Sequence, residues 1–145
     1  MSRIRGTNTS VELRLRLSLW RAGLRYRLGR RLPGRPDLTF VAARVAVFVD
    51  GCFWHACPTH GVAPKSNALF WKTKIGGNVE RDAQVNRILR EDGWTVIRLW
   101  EHDVEDALPR CIRKVVTTVH TSLAKVRRAA PARRVPRRAA VARRQ

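Results

Sequence analysis

Five apolar residues in a row, Val45-Ala46-Val47-Phe48-Val49, run directly into Asp50-Gly51-Cys52-Phe53-Trp54-His55-Ala56-Cys57-Pro58-Thr59-His60. A run with no polar face fits a central strand covered by helices on both sides. The chain then leaves the sheet through a loop that holds one carboxylate, two thiols, two imidazoles and two large aromatics. Groups of these kinds seldom crowd together for packing alone. Thiols and imidazoles suit a metal ion, and aromatics beside them suit stacking on bases.

The neighbouring segments extend this strand into an α/β layered domain with a mixed sheet. Val11 to Leu19 alternates like a strand, yet Leu, Arg and Glu favour a helix, and Thr9-Ser10-Val11-Glu12 matches a capping box. A helix is the better reading, with Leu13, Leu17, Trp20 and Leu24 as its inward stripe and an end near Gly23. Leu24 to Leu28 reads as a short strand, and Leu32-Pro33-Gly34-Arg35-Pro36 as a turn. Asp37 to Ala42 and Arg44 to Val49 read as two strands joined near Ala43. Asn78 begins a helix with Val85, Ile88 and Leu89 inward, closed by Gly93. Thr95 to Trp100 is a further strand, and Leu108 to about Leu123 a final helix started beyond Pro109. Trp20, Trp94 and Trp100 are assigned to the core.

Charge narrows the partner. The formal net charge is +19, from 30 Lys and Arg against 11 Asp and Glu. A surplus that large repels itself in the compact state, so a polyanion is the natural partner. No amphipathic basic helix of the interfacial kind stands out, which favours nucleic acid over membrane. The last 21 residues, 125–145, contribute nine Lys and Arg and no acid, leaving +10 on residues 1–124. That composition reads as a disordered basic tail beyond a folded domain of residues 1–123, either gripping phosphates or merely solubilising. No segment resembles a secretory signal or a membrane span. Cys52 and Cys57 beside histidines suit a metal in reduced cytosol better than a disulfide framework.

Several residues are candidates for chemistry, each with a plainer alternative. Asp37 and Asp50 open one strand and close the next, so a hairpin would bring both to one end of the sheet, a cradle for a hard divalent cation. Alone, Asp37 is an ordinary acid after proline, and Asp50-Gly51 an ordinary turn. Glu12 can approach the same place, or serve only as a capping acid. Asp82 falls on the inward stripe of its helix, where a carboxylate needs a partner; His55 is one, and the pair would make a general base. The alternative is that Asp82 only complements the helix dipole. Cys52, Cys57 and His60 give C-x4-C-x2-H, with His102 or Cys111 as a fourth zinc ligand. His120 has no visible partner. Phe53, Trp54 and Trp71, placed in polar loops, suit wedges between base pairs, with Lys65, Lys72 and Lys74 on phosphates; otherwise they cap the core.

With these residues assembled, the chain resembles the very-short-patch-repair (Vsr) endonucleases, DNA mismatch nucleases of the PD-(D/E)xK group, from about Arg3 to about Ile112. The likeness is densest in Leu32-Pro33-Gly34-Arg35-Pro36-Asp37, Gly51-Cys52-Phe53-Trp54-His55, Phe70-Trp71, Lys74-Ile75, Asn78-Val79-Glu80-Arg81-Asp82 and Gly93-Trp94 through Trp100-Glu101. The resemblance implies a restriction-endonuclease-like mixed sheet flanked by helices, with a zinc-bound loop. It implies an enzyme that nicks one strand of duplex DNA beside the T of a T:G mismatch, the product of 5-methylcytosine deamination. By the same resemblance Asp37 and the backbone carbonyl of Val49 bind catalytic Mg2+; Asp50, a departure from the family pattern, either adds a further metal ligand or changes the position of the water. His55 activates water, Asp82 orients His55, and Glu12 acts on water at the metal. Cys52, Cys57, His60 and His102 hold structural Zn2+, while Phe53, Trp54 and Trp71, with Lys72 and Lys74, engage DNA.

The sequence departs from the family pattern at three of these points, one being the spacing of the zinc ligands, which leaves the fourth ligand open between His102 and Cys111. The lysine usual in the wider group is absent, so the base role passes to His55, and Asp50 stands where some members carry a histidine. The expected setting is a monomer at the bacterial nucleoid, in the cytoplasm, with repair proteins as further partners. Two other readings remain: a zinc-containing DNA-binding module without catalysis, and a nicking nuclease of other or broader specificity.

Overall fold

The computed structural model describes residues 9–28, 31–61 and 64–130. Thr9 caps the first helix, α1 (Ser10–Arg21), its hydroxyl accepting from the backbone N–H of Glu12 at 3.3 Å. Gly23, with φ +87°, follows the helix in the left-handed conformation that ends many helices. The inward face differs from the expected stripe. Val11, Leu15 and Leu19 are buried with Glu12, whereas Leu13, Leu17 and Trp20 are 47, 57 and 49% exposed. Leucine recurs at every second position here, so apolarity alone does not rank the two i, i+4 stripes. The stripe that packs is the one that carries Glu12 inward, and Trp20 is not a core residue.

The sheet follows from the next two apolar segments. Strands β1 (Leu38–Phe40) and β2 (Val45–Asp50) pair antiparallel, Leu38 opposite Val47 and Phe40 opposite Val45. The turn between them closes through Arg44, whose φ is +53°. The strand expected over residues 24–28 reduces to a single bridge from Arg27 to Thr39. After the long helix α2 (Ala68–Glu91), strand β3 (Thr95–Trp100) pairs parallel with β2, Val45 opposite Thr95 and Asp50 opposite Trp100. β2 is therefore central, as its unbroken apolar run requires.

Each face of the sheet has its own core. Val45, Val47, Ile97 and Leu99 pack with Val11, Leu15 and Leu19 of α1 and with residues of the two C-terminal helices. Those helices are a short α3 (Glu101–Asp106), which the sequence did not suggest, and α4 (Leu108–Ala129). On the opposite face Ala46, Phe48 and Trp94 pack against Val85 and Leu89 of α2. Ile88, expected inward, is exposed, and Trp100 is half-buried instead of core. α2 begins at Ala68, well before Asn78, and runs through Gly76-Gly77. Trp71 thus lies on a helix, not in a loop. α4 passes its expected end near Leu123 and takes in the start of the segment read as tail; residues 131–145 lie outside the described residues.

One glycine sets how the Asp37 segment meets the sheet. A Cβ at Gly34 would lie 2.6 Å from Val85 Cγ1 and 3.1 Å from Phe48, and φ there is +73°. The Pro-Gly-Arg-Pro turn can press against α2 and β2 only because position 34 has no side chain.

Candidate active site and metal centre

The C-terminal end of β2 gathers the acidic residues. Asp37, just before β1, accepts a hydrogen bond from the backbone N–H of Val49 through Oδ2 at 2.7 Å. Burial pushes its carboxyl from the ordinary 3.8 to about 6. The Val49 bond and Arg16 oppose the rise, while Glu12 and Asp50 add to it through their negative charge. The charges of Glu12 and Asp50 reach Asp37, but the acidic group whose ligand atoms lie within 4.8 Å of one another among the described residues is Asp50, His55 and Asp82, without Asp37 or Glu12. Glu12, nearly buried, also pairs with Arg16 at 3.0 Å. A half-buried carboxyl beside two other acids suits a divalent cation, whose charge would relieve the repulsion.

His55 stands beside this end of the sheet. The turns after β2 bring its Nδ1–H to Asp82 Oδ2 of α2 at 2.5 Å, with Asp50 Oδ1 3.9 Å away. Asp82 reaches it because residues 82, 85 and 89 share one helical stripe, of which Val85 and Leu89 pack on the sheet. A carboxylate on Nδ1 fixes the imidazole and leaves Nε2 to accept a proton. The loop is tied to α2 a second time, by Asn78 Nδ2–H donating to the Trp54 carbonyl at 3.0 Å.

Sequence reasoning missed Arg98. From β3 its Nη1 donates to Asp50 Oδ1 at 2.7 Å, and its Nη2 lies 3.4 Å from Asp82 Oδ1. Its Nε donates to Asn86 Oδ1 at 2.9 Å, and the guanidinium carbon sits 4.3 Å from the centre of the Phe48 ring. Burial pushes the Asp50 carboxyl up, with Arg98 and His55 working against that rise. Asp50, expected as a metal ligand, therefore meets a guanidinium. The available signal was a single cation in the middle of the apolar strand Thr95-Val96-Ile97-Arg98-Leu99-Trp100, which must find an anion to be buried there. Asp50, His55, Asp82, Asn86 and Arg98 line a cleft of about 300 Å³ with Val79, Ala83 and Trp100.

The thiols and the other two imidazoles of this region form a second cluster. The ligand atoms of Cys52, Cys57, His60 and His102 all lie within 4.8 Å of one another. His102 Nδ1 is 3.1 Å from Cys52 Sγ and 3.5 Å from Cys57 Sγ. The turn tightens at Gly61, whose N–H donates to the Cys57 carbonyl at 2.8 Å, and where a Cβ would fall 2.5 Å from that oxygen. Burial pushes both thiols up. At Cys57 the backbone of His60 and Thr59 and the His60 and Cys52 side chains outweigh it, so the net shift is downward. A lowered thiol is the better metal ligand. Cys111 is not in this group; it is buried among the core residues facing α1 and α4. His120 is an exposed residue of α4.

Beside both clusters stands an aromatic wall. Phe53, Trp54 and Trp71 meet edge to face or tilted, with ring centres 5.0–5.9 Å apart, and Phe70 joins at 5.2 Å. Lys74 Nζ lies 5.7 Å from the Trp54 ring and 5.8 Å from the Phe70 ring, and Lys72 is exposed nearby on α2. Phe70 and Leu69 are 56 and 80% exposed. Neither was singled out as a DNA contact from sequence, because the helix carrying them was not anticipated. Phe53, Trp54 and Trp71 are themselves half-buried against one another, and exposed Phe70 with the nearby lysines gives the edge of the wall a surface suited to unstacked bases.

Comparisons with known proteins identify the family. The family model for "DNA mismatch endonuclease Vsr" matches residues 1–60. The type II nicking enzyme V.NaeI of Lentzea aerocolonigenes is 45% identical over 123 residues, covering 80% of this chain and 72% of the relative. The type II nicking enzyme V.XorIIP of Xanthomonas oryzae pv. oryzae is 38% identical over 120 residues, 80% of this chain and 88% of the relative. The DNA mismatch endonuclease Vsr of Escherichia coli K12 is 41% identical over 104 residues, 70% of this chain and 66% of the relative. Among the described residues no helix is long and apolar enough to cross a membrane. The chain belongs to the Vsr family of DNA mismatch endonucleases: it is a DNA-nicking hydrolase built on a restriction-endonuclease-like mixed sheet.

Proposed function

We propose that this endonuclease nicks one strand of duplex DNA next to the T of a T:G mismatch, and so starts very-short-patch repair. The observation that carries the reading is the His55–Asp82 pair, set at the same end of the sheet as Asp37 and beside the half-buried Phe53–Trp54–Trp71 wall with exposed Phe70 at its edge. The Asp37 carboxylate and the Val49 carbonyl would hold Mg2+, a hard ion suited to these oxygens. Bound there, the ion would neutralise charge that gathers on the phosphate as the bond to the leaving oxygen breaks. His55 takes the proton of the attacking water at Nε2, Asp82 keeps the ring oriented, and Glu12 orders water beside Asp37. Phe53, Trp54 and Trp71 wedge into the stack at the mismatch, where unstacking costs least, and Lys72 and Lys74 hold phosphates.

Strand-resolved nicking of every mismatch and of matched duplexes, with magnesium, tests this reading. The T strand of the T:G duplex should be cut fastest. Equal rates across the panel would instead give a nicking nuclease of broader specificity.

Cys52, Cys57, His60 and His102 would give Zn2+ the four Cys and His donors that a structural site takes. By holding the ends of the loop and of β3 together, such an ion would contribute binding energy to folding. Chelation should lower the melting temperature. Cys57→Ser should lose the metal, whereas Cys111→Ser should keep it in full, as elemental analysis and calorimetry would read. Unchanged melting after verified metal loss contradicts a structural role.

A further inference from the structure

Asp50, His55 and Asp82 offer three ligand atoms within 4.8 Å of one another, a set able to hold a divalent cation of its own. Two carboxylates facing each other across a half-buried cleft repel, and something positive must sit between them. In this chain Arg98 is already there. Its fork spans Asp50 Oδ1 at 2.7 Å and Asp82 Oδ1 at 3.4 Å. The remaining nitrogen is fixed by Asn86 at 2.9 Å, and Phe48 lies against the guanidinium. The register explains the fit: Arg98 pairs with Phe48 across the parallel ladder, and Asp50 comes two residues later on β2, on the same side of the sheet.

We propose that Arg98 is the resident cation of the Asp50–His55–Asp82 cluster, a positioning residue that excludes a metal ion from it and locks Asp82 onto His55. The proposal rests on the reading of His55 and Asp82 given above. A guanidinium does here what a divalent ion cannot. It holds two carboxylates in a fixed plane without competing for the imidazole, so Asp82 Oδ2 stays on His55 and the ring stays free. Lysine would keep the charge but not the fork.

Manganese binding to the zinc-loaded, full-length protein, followed by electron paramagnetic resonance, tests this without DNA or turnover. Arg98→Met, neutral and of similar length, should bind one more Mn2+ than the unmodified protein, and Asp50→Asn added to it should remove that extra ion. Equal stoichiometry in Arg98→Met and the unmodified protein overturns the proposal. Should Arg98→Met not fold, Asp50→Asn alone decides. Its Mn2+ affinity should stay within about threefold of the unmodified protein, whereas a loss of about tenfold or more makes Asp50 a metal ligand and overturns the proposal. Arg98→Lys should bind no additional ion, yet lower kcat by about tenfold with KM unchanged, the signature of an interaction realised in the transition state. Unchanged kcat in Arg98→Lys also counts against the positioning role. Failure of the function reading looks different: nicking by the His55→Ala variant at the unmodified rate, whatever the manganese count.

Discussion

Asp37→Asn should abolish nicking and, in magnesium-free buffer at neutral pH, raise the melting temperature of the same protein. The two effects have one cause. Burial and the neighbouring charges of Glu12 and Asp50 push the Asp37 carboxyl to about 6, above its ordinary 3.8. A raised carboxyl means that the folded state binds the proton more tightly than the unfolded state does. Stability contributed by this group is therefore present at low pH, declines as pH rises from about 4 to 6, and stays low above that. Asn is neutral at every pH and can still accept the Val49 N–H, so the variant escapes a cost on the order of 1–3 kcal/mol. It also loses the charge that would hold magnesium, which should lower the nicking rate by at least about 10³-fold. Magnesium should stabilise the unmodified protein and leave the variant unaffected. Thermal melts across pH 4–8, with and without magnesium, check the first effect; a variant that melts lower at pH 7 would show that Asp37 serves the fold.

His55→Ala should reduce single-turnover nicking by about 10²–10⁴-fold, the usual contribution of a positioned general base, while binding to a T:G duplex persists. Asp82→Asn should cost less, because Asp82 acts through His55. The double substitution should be no slower than His55→Ala alone, since removing the imidazole removes what Asp82 orients. Additive losses would mean that Asp82 has a separate task, and loss of duplex binding in His55→Ala would place the histidine in the DNA interface.

Much of the site was legible before the fold was known because it depends on local order. The apolar run 45–49, the loop after it and the hairpin geometry place Asp37, Asp50 and the thiols at one end of the sheet. Asp82 was found from helical periodicity. What failed were choices between equivalent patterns. Two leucine stripes compete on α1, and the wrong one was taken inward. Helix α2 begins well before Asn78 and runs through Gly76-Gly77, with open space around both, so Trp71 lies on a helix where the sequence pattern suggests a polar loop. Helix α2 also starts from Asn67 in the left-handed conformation, without a side-chain cap, and offers no start signal. Arg98 was missed for another reason: its partners come from β2 and α2, and only the parallel register of β2 and β3 brings them together.

On the proposed account, one end of the sheet holds two kinds of charge control: an acidic position at Asp37 that takes the metal ion, and a cleft closed by Arg98 around Asp82 and His55. Anomalous diffraction from crystals of the protein with manganese and a T:G duplex tests this most directly. The predicted peak lies on Asp37 and the Val49 carbonyl, against the phosphate beside the mismatched T, with His55 facing that phosphate. A peak held by Asp50 and Asp82 with Arg98 displaced, or a phosphate out of reach of His55, would contradict it.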